Sequence, residues 1–167
     1  MHVRQAAKLL TTEATQHYCC VMIPEFVTIH SVWKVLPPGI HDATIEEIER
    51  RFANNEVRRK LFDGFKRGVE ALRLAGCKVV FLDGSYVTER ENPGDFDACW
   101  EPTGVDHRKL DPVLLDFSSR RQRQKQKYAG EFFPSSALAD GIRTFVEYFQ
   151  IDKYTGKARG LIRVRLP

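Results

Sequence analysis

Val79-Val80-Phe81-Leu82-Asp83-Gly84-Ser85 and, after nine intervening residues, Asp95-Phe96-Asp97-Ala98-Cys99-Trp100 are the two stretches whose reading decides the fold. The segment from Cys77 to Leu82 is rich in β-branched and aromatic residues, long enough for a buried strand and too short for a helix. The second stretch alternates polar and apolar, as a strand does when one face meets a site and the other a core. Residues two apart on a strand face the same side, so this alternation predicts that Asp95 and Asp97 present neighbouring carboxylates.

Upstream, apolar residues recur at helical spacing from Glu56 to Ala75, with Leu61, Phe65, Val69 and Leu72 on one stripe and Gly76 placed as a C-terminal cap. Before it, Thr44 and Glu47 have the spacing of a capping box, which predicts a helix start at Thr44. Val35-Leu36-Pro37-Pro38-Gly39-Ile40-His41 is expected to be a stiff, extended connector, because each proline fixes its own backbone and pushes the preceding residue out of the helical region. Residues 1–21 read as a short helix or arm, and Met22 looks like a natural start of translation. A dispensable extension over 1–21 and a single domain over 22–167 are therefore expected.

Downstream, Asp111-Pro112 is a helix-opening pair, and Lys109 to Tyr128 is expected to be helical. Glu131-Phe132-Phe133 is a short strand candidate. Thr144 to Gln150 and Gly160 to Leu166 flank the turn residues Tyr154-Thr155-Gly156, which predicts a C-terminal β-hairpin. The fold class expected is α/β (α+β): a small mixed sheet with helices packed on one face.

The length of 167 residues suits one domain with a real core. With 43% hydrophobic and 29% charged residues, wholesale disorder and fibrous repeats are excluded. No apolar stretch approaches the roughly 20 residues that cross a bilayer. The segment from Met1 to Cys20 lacks the sustained apolar core of a secretory signal, so a cytoplasmic address is expected. Cys19, Cys20, Cys77 and Cys99 form no Cys-x-x-Cys and are read as free thiols. The net charge of +4 conceals the run Arg120-Arg121-Gln122-Arg123-Gln124-Lys125-Gln126-Lys127, whose five positive charges either attract polyphosphate or nucleic acid or form a solvated helix face.

A strand, a Gly-Ser turn and an Asp-x-Asp strand about ten residues on resemble the signature of the nucleotidyltransferase superfamily of the polymerase β type. More narrowly, Ile23-Pro24-Glu25-Phe26, the connector from Leu36 to His41 and Phe145-Val146-Glu147-Tyr148-Phe149-Gln150 look like an uncharacterised bacterial family of small nucleotidyltransferase-like proteins. The resemblance implies a nucleotidyltransferase fold and a Mg²⁺-dependent transfer of a nucleoside monophosphate from a nucleoside triphosphate such as ATP to an acceptor. Mn²⁺ is an alternative cation, and the acceptor, a protein or an RNA, is not readable.

The chemistry accounts for these residue types. Mg²⁺ takes hard oxygen ligands and keeps waters and substrate phosphates in its shell, so Asp95 and Asp97 with one further carboxylate suffice. Two such ions about 3.5 to 4 Å apart stabilise the attacking and leaving oxygens of an in-line displacement. The resemblance implies a third carboxylate on a following strand, as metal ligand or base. Glu131 is the choice, with Asp116 and Glu147 as rivals; a Glu in place of the more usual Asp puts activity in question. Gly84 and Ser85 are expected to hold phosphates, Gly84 by close backbone approach and Ser85 through its hydroxyl and amide. Arg121 and Lys125 are candidate triphosphate clamps. His41 reads as structural, and Trp33 and Trp100 as core or rim packing rather than base-stacking platforms.

Two other classes compete. One is a weak or inactive nucleotidyltransferase-fold protein acting as a binding or regulatory module, such as half of a toxin-antitoxin or phage-defence pair with a cognate partner protein. The other is a nucleic-acid binder using residues 120–127, whose affinity falls steeply with salt. The plain alternative for the central motif is a hairpin linking two core strands through Asn92-Pro93-Gly94 turn chemistry.

Overall fold

In the computed structural model of the chain, residues 23–167 are described; the expected extension over 1–21, with Cys19 and Cys20, lies outside them. The described chain folds as a mixed α+β structure. β1 is Gly39–Asp42, α1 Ile45–Phe52, α2 Glu56–Leu74, β2 Val79–Asp83, β3 Asp97–Trp100, α3 Gln122–Tyr128, β4 Glu131–Pro134, α4 Phe145–Phe149 and β5 Gly160–Arg165. The five strands form one sheet in the order β1-β5-β2-β3-β4. β1 runs parallel to β5 and β3 parallel to β4, while β2 is antiparallel to both β5 and β3. Among the described residues, no helix is long and apolar enough to cross a membrane.

Strand period explains the two layers. Val80, Leu82, Ala98, Trp100, Phe132, Ile162 and Val164 point to the face covered by α1, α2 and α3, and with Leu61, Phe65 and Leu72 they form the main core. The alternating residues Phe81, Cys99, Phe133 and Leu161 point to the other face, where α4 covers them with Phe145, Val146 and Phe149. Phe65, Phe96 and Phe132 form a closed aromatic cluster, with ring centroids 5.3 to 6.2 Å apart.

The helix starts follow their caps. Thr44 and Glu47 form a full capping box on α1, and Asn55 caps α2 by accepting from the Arg58 N–H. Where Gly64 of α2 passes the end of α3, an added Cβ would sit 1.8 Å from the Tyr128 carbonyl oxygen. That neighbour is backbone and has no room to yield. Gly64→Ala is therefore expected to lower stability by about 2–3 kcal/mol, against little change for Gly94→Ala, whose added Cβ meets nothing within 4 Å. Urea unfolding of both variants checks this, and equal midpoints would refute the close-approach account.

Arg58 ties α2 to the chain that follows β2. Its side chain is 3% exposed and donates to the carbonyls of Phe52 and Arg90 at 2.6 Å, and also to that of Tyr86. Its guanidinium lies 4.8 Å from the centre of the Tyr86 ring, and the Tyr86 hydroxyl donates back to the Arg58 carbonyl. Residues 86–90 are thereby anchored from inside.

Four expected elements differ in the structure. Lys109 to Tyr128 is not one helix: a 3-10 turn over Pro112–Leu115 and another over Ser119–Arg121 precede α3. Asp116 accepts from both the Ser118 N–H and its hydroxyl, a local bonding pattern that competes with helix. Ser119, Arg120 and Arg121 then take φ of 46°, 54° and 58°, which no continuous right-handed helix contains. The predicted first arm of the C-terminal hairpin is instead α4, opened by a capping box between Thr144 and Glu147. The Tyr154-Thr155-Gly156 turn is present, fastened by Asp152 and closed by a single Ile151–Ala158 bridge. Asp95 precedes β3 rather than opening it, and the connector's Gly39, Ile40 and His41 belong to β1. His41 Nε2 is hydrogen-bonded to the Pro37 carbonyl oxygen at 2.8 Å, the structural position expected of it.

Candidate active site

The strand register assembles the site. Asp83, the last residue of β2, is paired with Asp97, the first of β3, and Asp97 with Glu131, the first of β4. These carboxylates form one row across three adjacent strands, on the face that also carries Phe81, Cys99 and Phe133 one pleat further in. Strands lie about 4.8 Å apart, so the row is a tight one. Asp95, although outside the strand, joins it through Lys125, whose Nζ lies 3.0 Å from Asp95 Oδ2 and 2.9 Å from Glu131 Oε1.

The Gly84–Ser85 turn packs on Asp97. Gly84 has φ +80°, and a Cβ there would lie 2.5 Å from Asp97 Oδ2 and 2.9 Å from its backbone nitrogen. Glycine is required twice over, by conformation and by the approach of Asp97. Ser85 opens a 3-10 turn and directs its hydroxyl toward the Asp95 carbonyl at 3.5 Å.

Arg159, just before β5, reaches the row from the other side. It is 9% exposed; its Nη2 lies 2.9 Å from Asp83 Oδ1 and donates to the Gly84 carbonyl at 3.3 Å. Arg121 Nε stands 3.0 Å from Glu131 Oε2, placed there by the left-handed segment that opens α3.

Burial first, and like charge after it, shows in the protonation of the row. Burial pushes the Asp97 carboxyl up to about 7, and Asp83, Asp95 and Glu131 add to the shift while Lys125 opposes it. Burial likewise pushes Asp83 up to about 6 against the pull of Arg159. Lys125, bonded to Glu131 and Asp95, is held above the usual lysine range.

These residues open on a cavity of about 420 Å³ lined by Asp83, Gly84, Ser85, Asp95, Asp97, Arg121, Glu131 and Arg159 on one side. Trp33, Tyr148 and Tyr154 line its other parts; Trp33 and Tyr154 meet edge to face at 6.5 Å, and the Arg90 guanidinium lies 4.9 Å from the Trp33 ring. Trp33 thus stands at the rim and Trp100, 1% exposed, in the core. A larger cavity of about 920 Å³ lies between α1, α2 and the end of β5, and none of the candidate residues line it.

The rivals to Glu131 are engaged elsewhere. Asp116 pairs with Arg123 and Ser118, and Glu147 caps α4. The basic run faces several ways: Arg121 and Lys125 turn to the row, while Arg123 pairs with Asp116 and Lys127 with Asp111. Asp83 and Arg159 were not foreseen. Asp83 carried a signal, being a carboxylate that ends a buried apolar run immediately before Gly84. Arg159, in a polar turn far along the chain, carried none.

Among the described residues, no group of three or more His, Cys, Asp or Glu side chains is spaced to hold a metal ion as they stand. The ammonium between Asp95 and Glu131, and the guanidinium against the second Glu131 oxygen, are where the row's negative charge is met. The donor atoms are all carboxylate oxygens, the type a hard divalent cation takes.

No curated protein and no solved structure matches the chain. Residues 29–165 match a family described as a family of unknown function, DUF6932, and since that match spans most of the chain, the protein belongs to the DUF6932 family.

Proposed function

We propose that the protein is a divalent-cation-dependent nucleotidyltransferase, moving a nucleoside monophosphate from a nucleoside triphosphate to an acceptor with loss of pyrophosphate. The observation that carries this reading is the row of Asp83, Asp97 and Glu131 on three adjacent strands with the Gly84–Ser85 turn packed against it. Asp95, Asp97 and Glu131 would hold Mg²⁺ or Mn²⁺. Bound there, the cation would stabilise charge developing on the phosphoryl oxygens. The missing Cβ of Gly84 makes room for Asp97, and the backbone of the turn and Ser85 line the cavity where a phosphate would lie. Arg159 neutralises Asp83 and holds the Gly84 carbonyl, which orients the turn. Lys125 and Arg121 supply positive charge for the triphosphate. A protein or RNA acceptor and a cytoplasmic address complete the reading.

A second reading, a binding or regulatory protein on the same fold with a cognate partner, is favoured by one observation: Asp95 and Glu131 already have cationic partners within the chain. Nucleic-acid binding through residues 120–127 has less support, because four of the run's five cations, Arg121, Arg123, Lys125 and Lys127, face carboxylates of the chain itself.

Calorimetry of the four ribonucleoside triphosphates with and without Mg²⁺, on the wild type and an Asp95→Asn, Asp97→Asn double mutant, separates these. Metal-dependent binding by the wild type, weakened about 100-fold or more in the mutant, is expected of a hard-cation site stripped of two ligands. Absence of triphosphate binding by the folded wild type would remove the enzyme reading and leave the regulatory one.

A further inference from the structure

We infer that Lys125 is a displaceable internal counter-cation, so that the row accepts a divalent cation as its polyphosphate complex in preference to the free ion. The inference deepens the proposed function and rests on its placing of cation and phosphates at the row.

Lys125 Nζ bridges Asp95 and Glu131 at 3.0 and 2.9 Å, a position that puts a point charge where a shared cation would bind. Its side chain is 43% exposed, and a lysine stem has four rotatable bonds, so the ammonium can swing out without unpacking the core. Arg121 Nε is 3.0 Å from Glu131 Oε2 without the alignment of a hydrogen bond, and its guanidinium rests 4.9 Å from the centre of the Phe133 ring. Arg121 stands at the left-handed residue that opens α3, and Lys125 lies one turn further on, in the last turn of the same short helix.

Charge balance then selects the ligand. A free divalent cation entering the row must push Lys125 away from both carboxylates, leaving an ammonium with water as its only new partner. A cation carrying a polyphosphate brings an anion with it, and the displaced Lys125 and Arg121 transfer from carboxylate to phosphate oxygen. Arg159 points the same way. It lines the cavity, is more than nine-tenths buried, and its Nε lacks a hydrogen-bond partner among the described residues. A buried N–H donor beside a cavity is the kind of group an anion satisfies.

Lysine at this position should therefore oppose one ligand and favour the other. The test is calorimetry of Mn²⁺ alone, and of Mn²⁺ with inorganic tripolyphosphate, on the wild type, Lys125→Met and Lys125→Arg, with melting temperatures measured alongside. Lys125→Met keeps the stem and is expected to bind free Mn²⁺ about tenfold more tightly and Mn²⁺-tripolyphosphate about tenfold more weakly, the size of one partly exposed charge pair acting on a divalent ion. Lys125→Arg is expected to lie near the wild type on both counts. A fold defect would weaken both ligands together, so the opposite signs belong to the counter-cation role. If the wild type binds the complex and Lys125→Met shifts both affinities the same way, or neither, the inference is overturned and the proposed function stands. If no variant binds either ligand, both are overturned.

Discussion

Asp97→Asn is expected to melt higher than the wild type at about pH 9 and nearly level with it at about pH 3, below the ordinary carboxylate range, while losing cation-dependent nucleotide binding. The sign follows from the direction of the shift. The Asp97 carboxyl is raised from 3.8 to about 7 in the folded chain, first by burial and then by Asp83, Asp95 and Glu131. A group raised in the folded state binds its proton more tightly there than in the unfolded chain. Its favourable contribution is complete below the unfolded value and is lost as pH climbs through the folded one. Asparagine never ionises, so the variant avoids that loss. Several kcal/mol would correspond to a shift of this size in full; the part of Asp97 that faces the cavity is solvated and reduces it. Asp83, raised to about 6, adds a loss of the same sign slightly lower in pH. Thermal melts of both proteins between those pH values decide the matter, and parallel curves would show that the Asp97 carboxyl is not raised in the folded chain. A gain in stability from deleting a candidate ligand is the mark of a site kept under electrostatic strain for function.

Arg58→Met is expected to cost about 3–5 kcal/mol, the range for removing a buried, fully engaged charged group. Methionine fills much of the stem's volume but donates nothing to the carbonyls of Phe52, Tyr86 and Arg90, which then lie unpaired. The effect should also be felt at a distance. Residues 86–90 lead from the Gly84–Ser85 turn toward Asp95, so loosening their anchor loosens the turn. Chemical unfolding measures the first effect, and amide exchange at Tyr86 and Arg90 the second. A variant within about 1 kcal/mol of the wild type would mean that these carbonyls find water instead.

The regular elements were legible because their signals are local. The capping box at Thr44, the apolar stripe from Leu61 to Leu72 and the short apolar run before Gly84 each act within a few residues, and each element forms where its signal lies. The C-terminal error was avoidable on the same ground. Thr144 and Glu147 have the same spacing as Thr44 and Glu47 of α1, and this local cap prevails over the aromatic, β-forming character of Phe145 to Phe149. What could not be read was set by tertiary contact. The left-handed path through Ser119, Arg120 and Arg121 is a non-glycine conformation that no propensity favours, and it turns two basic residues toward Glu131. Asp83 joins the row only through its register with Asp97, and Arg159 only because β5 lies beside β2. For the candidate site, Gly84, Ser85, Asp95, Asp97 and Glu131 all line one cavity, although Asp95 arrives from a loop and not from the strand.

The sheet order carries a consequence for biosynthesis. β5 is the last strand in sequence yet lies between β1 and β2, where it hydrogen-bonds to both. Until the ribosome has delivered Gly160 to Arg165, β1 has no partner in this sheet and β2 exposes a whole row of unpaired amides and carbonyls. Such an edge is a template for pairing with another chain. The nascent protein is thus most vulnerable to aggregation before β5 has emerged, and insertion of that one strand closes two edges at once.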